Sequence, residues 1–333
     1  GVLVAIKFIQ GNKIKQTQTS AGVKENKEPE KEVIKLPTTF AGKDRPIAVM
    51  IDNNINAMPQ AGLLEADLVY EIIVEGGETR MMAVLKGKDV EKIGPVRSSR
   101  HYFLDYALEN DAIYVHFGWS PQAESDISTM GVNNINGLYY DGSYFWRVSE
   151  KYAPHNAVIS TKNILKVAEN NEYRTTSEQK PVLNYVAIEL EDGKEAETIT
   201  IPYSDYNTVK YTYNEDKKEY VRYSRGKKQV DWNTDTTITT KNIIVTFAEN
   251  YSLNDGSGKG RQGLENIGKL KGYYITNGKA IEITCEKTSR TTQTVYKDLQ
   301  GNEIKVNDGK TFIQICPLNA NVKIEGNTKT TEK

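Results

Sequence analysis

The sequence predicts an α+β protein: an N-terminal α/β layer domain over residues 43–175, followed by a β-rich, mostly antiparallel domain over residues 181–322. Three observations carry that prediction. A chain of 333 residues is long enough to bury two separate cores. In the first half, apolar strand-like runs alternate with helical runs, the pattern of a layered α/β domain. In the second half, runs rich in Val, Ile, Thr and Tyr follow one another at short spacing between turn residues, and helical periodicity almost disappears.

Taken in order, residues 1–9, "GVLVAIKFI", are mostly apolar, and residues 10–42 are polar and charged without apolar periodicity. About 20 apolar residues are needed to cross a bilayer, so the first run is expected to be the remnant of a membrane anchor. The stretch after it cannot offset the entropy of ordering and reads as a disordered tether. "RPIAVMIDN" (45–53), "DLVYEIIVEGG" (67–77), "TRMMAVLKG" (79–87) and "DAIYVHFGW" (111–119) read as buried strands. "SSRHYFLDYALEN" sets Tyr102, Phe103, Tyr106 and Ala107 on one helical face. "WSPQAESDISTMG" opens with Ser120 as N-cap and Pro121 at the first helical position, then stops at Gly131. "STKNILKVAENN" (160–171) is a third helix of the same kind, the polar "NEYRTTSEQKP" marks the boundary, and residues 323–333 read as a tail.

Composition removes several classes of function. Lys plus Arg total 43 against 44 Asp plus Glu, so no global field recruits nucleic acid, and charge-driven binding must be local. Cys285 and Cys316 lack C-x-x-C spacing; they are either a disulfide between neighbouring strands or two buried thiols. The histidines show no metal-ligand spacing, so neither a metal nor a cofactor is expected. "NDGSGKGRQG" (254–263) lacks the order of a phosphate loop and reads as a loop between strands. The Tyr-rich alternation of "YNTVKYTYNEDKKEYVRYSRGKKQVDW" reads as an exposed sheet face rather than a base- or sugar-stacking surface.

The densest chemistry lies in "GPVRSSRHYF" (94–103). Pro95 is expected to keep Gly94 extended, and Ser98 or Ser99 to cap a helix whose first N–H groups attract anions. Arg97 and Arg100 stand at the same positive helix end, where cations are otherwise disfavoured. They require a compensating anion, either an external ligand or an internal carboxylate such as Glu71, Glu75 or Glu78. His116 sits near the carboxyl end of a strand, the usual ligand position in open α/β sheets, and His155 precedes Asn156 in a Pro-His-Asn loop. Asp52, Glu75, Arg80, Arg97, Arg100, His116, Arg147 and His155 are therefore expected to share a cleft. Its ligand-binding set is Arg80, Arg97, Ser98, Ser99, Arg100, His116, His155 and Asn156, with bidentate contacts from Arg97 and Arg100. No catalytic residue can be assigned, because Ser98 and Ser99 lack a Gly-x-Ser-x-Gly elbow and no carboxylate pair stands out.

Several segments together carry a resemblance: "RPIAVMIDN", "EADLVYEIIVEGGETRMMAV", "IGPVRSSRHYFLDYALENDAIYVHFG", "SPQA", "APHN", "YVRYSRGKKQVD", "TKNIIV" and "NDGKTFIQICP". Over about residues 43–318 the chain resembles the YerB-like family of bacterial envelope lipoproteins, which has two domains and no established activity. It departs from the family pattern at Trp119, where a glycine usually stands, and by the absence of a lipobox cysteine near its start. The resemblance implies a place, the outer face of a Gram-positive type membrane, with attachment here through the N-terminal anchor. Cell-wall assembly proteins or an anionic wall polymer are the partners available there. The expected function is thus a membrane-tethered, extracytoplasmic binding or scaffold protein with an Arg- and His-lined site for an anionic ligand. Its rival is an envelope hydrolase or transferase acting on a phosphorylated or glycan substrate, with His116 or His155 as general base.

Overall fold

A computed structural model describes residues 33–327, so the expected anchor run and most of the expected tether lie outside the described residues. Residues 36–327 form one compact unit. Strands β1 (Ile47–Asp52), β2 (Leu68–Ile73) and β3 (Thr79–Leu85) are followed by α1 (His101–Glu109), β4 (Ile113–His116), α2 (Pro121–Thr129), β5 (Asn134–Asn136) and α3 (Thr161–Asn170). The second half supplies β6 (Thr198–Ser204), β7 (Asn207–Asn214), β8 (Glu219–Ser224), β9 (Asn242–Ser252), β10 (Gly268–Thr276), β11 (Lys279–Lys287), β12 (Val295–Lys297), β13 (Thr311–Pro317) and β14 (Lys323–Glu325), with shorter pairings between them. Strands predominate over helices, so the molecule is β-rich throughout.

A large mixed sheet runs through both halves of the sequence in the order β12-β11-β10-β9-β13-β2-β3-β1-β4-β5. Strand β13 lies between β9 and β2, parallel to both. Six of its seven residues are buried, and a strand apolar on both faces gains most from neighbours on both edges. The two sequence textures therefore share one sheet, while β1, β4 and β5 run parallel at its far end. Side-chain alternation divides the core. Val49, Ile51, Val69, Met81 and Val115 face α3 and a second sheet, β8-β7-β6-β14. Met50, Tyr70, Ile72, Met82 and Tyr114 face α1, α2 and the segment around Leu183.

Several expectations change. Residues 38–42 do not belong to a free tether: Thr38 and Thr39 donate backbone N–H bonds to Asp308, and Phe40 is buried against Tyr185. The expected tail begins with a strand, since Lys323–Glu325 pairs with β6. The Tyr-rich strands are not simply an exposed face, because Val209, Tyr211 and Tyr220 are buried on the side that packs against the large sheet. Cys285 on β11 and Cys316 on β13 are separated by β10 and β9, and both thiols are free. Burial pushes the Cys285 thiol up to about 12 and raises that of Cys316 as well.

Candidate functional site

Asp52, His116 and Asn136 stand at the carboxyl ends of the parallel strands β1, β4 and β5, the position where open sheets leave a crevice for ligands. Segment 94–100 is threaded across that end. Asp52 N donates to Pro95 O at 2.8 Å, Arg97 N to Met50 O at 3.1 Å, Phe117 N to Arg97 O at 3.0 Å and Ser99 N to Gly118 O at 3.0 Å. Gly94 is not in the expected extended conformation but at φ 142°, and a Cβ there would lie 2.9 Å from Ala157 O, so glycine is required. Nor does either serine cap α1. Arg100 occupies the N-cap position with no side-chain cap, because the hydroxyls are used elsewhere. Ser98 Oγ donates to Phe117 O at 3.0 Å, and buried Ser99 Oγ accepts from Tyr114 at 2.7 Å.

The charges separate into paired and surplus groups. Arg100 chelates Glu75, Nε to Oε1 at 2.8 Å and Nη2 to Oε1 at 2.6 Å, with only 11% and 19% of the two side chains exposed. Of the alternatives the sequence left open, an internal carboxylate is therefore the partner of Arg100. Burial alone would raise the Glu75 carboxyl, yet the chelating guanidinium holds it below its usual value. Asp52 serves two partners with one oxygen, Oδ2, which lies 2.6 Å from His155 Nδ1 and 3.3 Å from Arg97 Nε. Its other oxygen accepts Asn54 N at 3.0 Å. Arg97 Nε is buried and, among the described residues, makes no hydrogen bond of good geometry. Arg80, paired with Asp52 across β3 and β1, donates to Ser98 O at 2.6 Å. Burial first, then the nearby Arg100 and Arg97 charges, bring its guanidinium down to about 10. Among the described residues no carboxylate lies within ion-pair distance of Arg80, so three guanidinium groups share two carboxylates.

The remaining expected contacts stand apart. His116 is fully buried, with Nδ1 2.7 Å from Gly118 O, Nε2 2.9 Å from Asn134 Oδ1 and its ring against Tyr114 and Trp119. Burial also lowers its pKa, so this residue is a structural element of the β4 end and not a ligand contact. Asn156 accepts from Arg147 Nη1 at 2.9 Å and donates to Val148 O at 3.3 Å. Arg147 pairs with Asp141 and lies over the Phe117 ring, so Asn156 and Arg147 shape their own loop. The assembled site is thus Asp52, Glu75, Arg80, Arg97, Arg100 and His155. Sequence reasoning placed Asp52 in the cleft but missed its role as the shared partner. That pairing spans 103 residues and leaves no local signal. Among the described residues no group of three or more His, Cys, Asp or Glu side chains is placed to hold a metal.

Comparison with known proteins gives consistent matches. Residues 36–174 match "Protein of unknown function (DUF3048) N-terminal domain", and residues 199–313 match the corresponding C-terminal domain. The chain is 33% identical over 284 residues to "Putative lipoprotein YerB" of Bacillus subtilis (strain 168), a match covering 82% of this chain and 81% of that protein. It is also similar to the crystal structure of the YerB protein from Bacillus subtilis, with a TM-score of 0.78 and 31% identity, covering 87% of this chain and all of that one.

Proposed function

The chain belongs to the YerB-like family of unknown function (DUF3048), and from that premise we propose a membrane-tethered, extracytoplasmic binding or scaffold protein of the bacterial cell envelope whose arginine cluster takes an anionic ligand. The relative's name as a lipoprotein supports membrane attachment and an envelope location. No helix among the described residues is long and apolar enough to cross a membrane. Cell-wall assembly proteins or an anionic wall polymer are proposed as partners from that location alone.

One observation carries the anionic site: Arg80, Arg97 and Arg100 share only Asp52 and Glu75, and Arg97 Nε is left without a good acceptor. A guanidinium that lacks a full set of acceptors gains from a carboxylate or phosphate brought from outside. Poly(glycerol phosphate) is a suitable probe, titrated at several salt concentrations. Binding should weaken as salt rises, and Arg97→Ala should lower affinity about tenfold, the loss of one charge-assisted contact. Equal affinity in a folded Arg97→Ala protein would remove the proposal.

A second reading rests on the Asp52–His155 hydrogen bond. A carboxylate on Nδ1 orients an imidazole so that Nε2 can act as a general base, as in hydrolases and transferases. His155 is the histidine that retains this role, His116 having both nitrogens engaged. Turnover of a phosphoester or glycan panel that is lost in His155→Gln would favour catalysis over binding.

A further inference from the structure

A pocket of about 370 Å³ opens between the loop after β1 and the hairpin that follows β8. Ile55, Met58, Pro59 and Val230 form an apolar wall, and Arg225, Lys227 and Lys228 supply cations. No acidic residue lines it. Arg225 already has a partner, donating to Glu78 at 2.7 Å and to Asn53 O at 3.0 Å. Lys227 and Lys228 are exposed, and among the described residues neither has a carboxylate at ion-pair distance. Gln60 and Gln229 contribute no free amide: Gln229 Nε2 donates to Gln60 Oε1 at 2.9 Å, and Gln60 Nε2 donates to Asn53 Oδ1 at 2.9 Å and Asp52 O at 3.1 Å. Ser224 differs. Its hydroxyl is buried, the residue is 3% exposed, and among the described residues Oγ has no hydrogen-bond partner. A buried hydroxyl without a partner calls for an explanation, because such groups are nearly always satisfied.

We propose that this pocket binds a small amphiphilic anion, a phosphate head on a short aliphatic chain. The head lies between the lysine ammonium groups and the Ser224 hydroxyl, which supplies the missing hydrogen bond. The chain lies along Ile55, Met58 and Pro59, apolar surface that is otherwise partly open to water. A volume of about 370 Å³ is within the range of small-molecule sites, and none of its lining residues belongs to the Arg80–Arg97–Arg100 cluster, so the two sites can be tested apart.

Octyl phosphate is the probe, measured by calorimetry below its aggregation limit against octanol and inorganic phosphate. Octyl phosphate should bind more tightly than either control, since each control lacks one half of the recognition. Lys227→Glu/Lys228→Glu should weaken it about tenfold or more, Ser224→Ala a few-fold, and Met58→Ser a few-fold. Lys166→Ala, an exposed residue on α3 outside both sites, should leave it unchanged. The same chemistry comes from a soluble phosphomonoester or from an anionic lipid, and flotation with phosphatidic acid vesicles distinguishes them. Saturable binding in solution that vesicles do not strengthen identifies a soluble ligand, whereas binding that requires vesicles and is lost in the double lysine variant identifies a headgroup. Equal affinity for octanol, unchanged binding in the folded double variant, or no binding in either format would overturn the proposal.

Discussion

Two arginine centres lie on either side of β2 and β3, built from the same residue types and differing in closure. Arg222 on β8 reaches across to the large sheet, and both it and Glu71 on β2 are fully buried. Its Nη2 lies 2.5 Å from Glu71 Oε1 and 3.8 Å from Met81 Sδ, its Nε 2.6 Å from Gln229 Oε1, and its Nη1 bonds to Gln314 Oε1 at 2.8 Å and to Tyr211. Each of its five N–H groups can thus be assigned an acceptor. Gln314 in turn donates to Glu71 Oε1 at 3.2 Å and to Tyr203 at 3.0 Å, and Thr79 donates to Glu71 Oε2 at 3.2 Å. One cation meets one anion there. At the carboxyl ends of β1 and β4, by contrast, three guanidinium groups meet two carboxylates, and Arg97 is 23% exposed at its side chain. Charge number and burial, not residue type, separate a centre that holds the two sheets together from one whose guanidinium groups outnumber its carboxylates.

The strongest way to break this comparison is to open the closed centre. Glu71→Ala leaves the Arg222 charge buried and uncompensated, which should lower stability by about 3–5 kcal/mol in denaturant unfolding. Replacing both partners, as Arg222→Met/Glu71→Leu, should recover much of that loss, since no uncompensated charge remains. Were Glu71→Ala no more damaging than Glu75→Ala, the distinction between closed and open centres would fail.

The two centres were also unequally legible in the sequence. Arg97 and Arg100 stand out because they sit at a helix start within a short span of chain, but the sequence offers Glu71, Glu75 and Glu78 equally as partners, and only Glu75 is the one that Arg100 meets. The helices themselves were readable from local features: Ser120 and Ser160 cap α2 and α3, accepting from Ala123 N and Asn163 N. Arg222 and Glu71 are separated by 151 residues, and their meeting depends on the second sheet folding over the first. Alternation in "EYVRYS" places Tyr220, Arg222 and Ser224 on one side, but only tertiary packing decides that this side is the buried one. The placement of β13 beside β2 was hidden for the same reason: a strand's apolar pattern says that it is buried, not which neighbours bury it. The Asp52–His155 contact and the solitary position of His116 likewise depend on loops that converge from distant segments.

A smaller effect sharpens the open centre. Glu75→Gln removes the carboxylate that Arg100 chelates and raises the cation surplus from one to two. Poly(glycerol phosphate) affinity should rise several-fold at low salt, with the gain shrinking as screening increases, while stability falls by about 1 kcal/mol for a partly exposed pair. Lower affinity in this variant would mean that Arg100 needs Glu75 for its orientation, and the site would then be a pre-organised pair instead of a pool of charge.

The smallest effect is expected at His155, and it is the one that separates binding from catalysis. Asp52 keeps Arg97 at 3.3 Å and the Asn54 N–H at 3.0 Å when the imidazole is removed, so His155→Gln leaves the carboxylate with partners. The His155 side chain is 17% exposed, and pairs of that kind near a surface are worth at most about 1 kcal/mol. Affinity for poly(glycerol phosphate) should therefore change by no more than about fivefold. A binding protein would show that small change and no turnover in either form. An enzyme would show the same small change in affinity together with loss of turnover of at least about a hundredfold, the share usual for a positioned general base. Comparing Asp52→Asn with His155→Gln completes the argument: if Asp52 acts on the ligand by holding Arg97, its replacement should reduce affinity more than replacement of the histidine does, and if it acts by orienting His155, the two variants should lose turnover together.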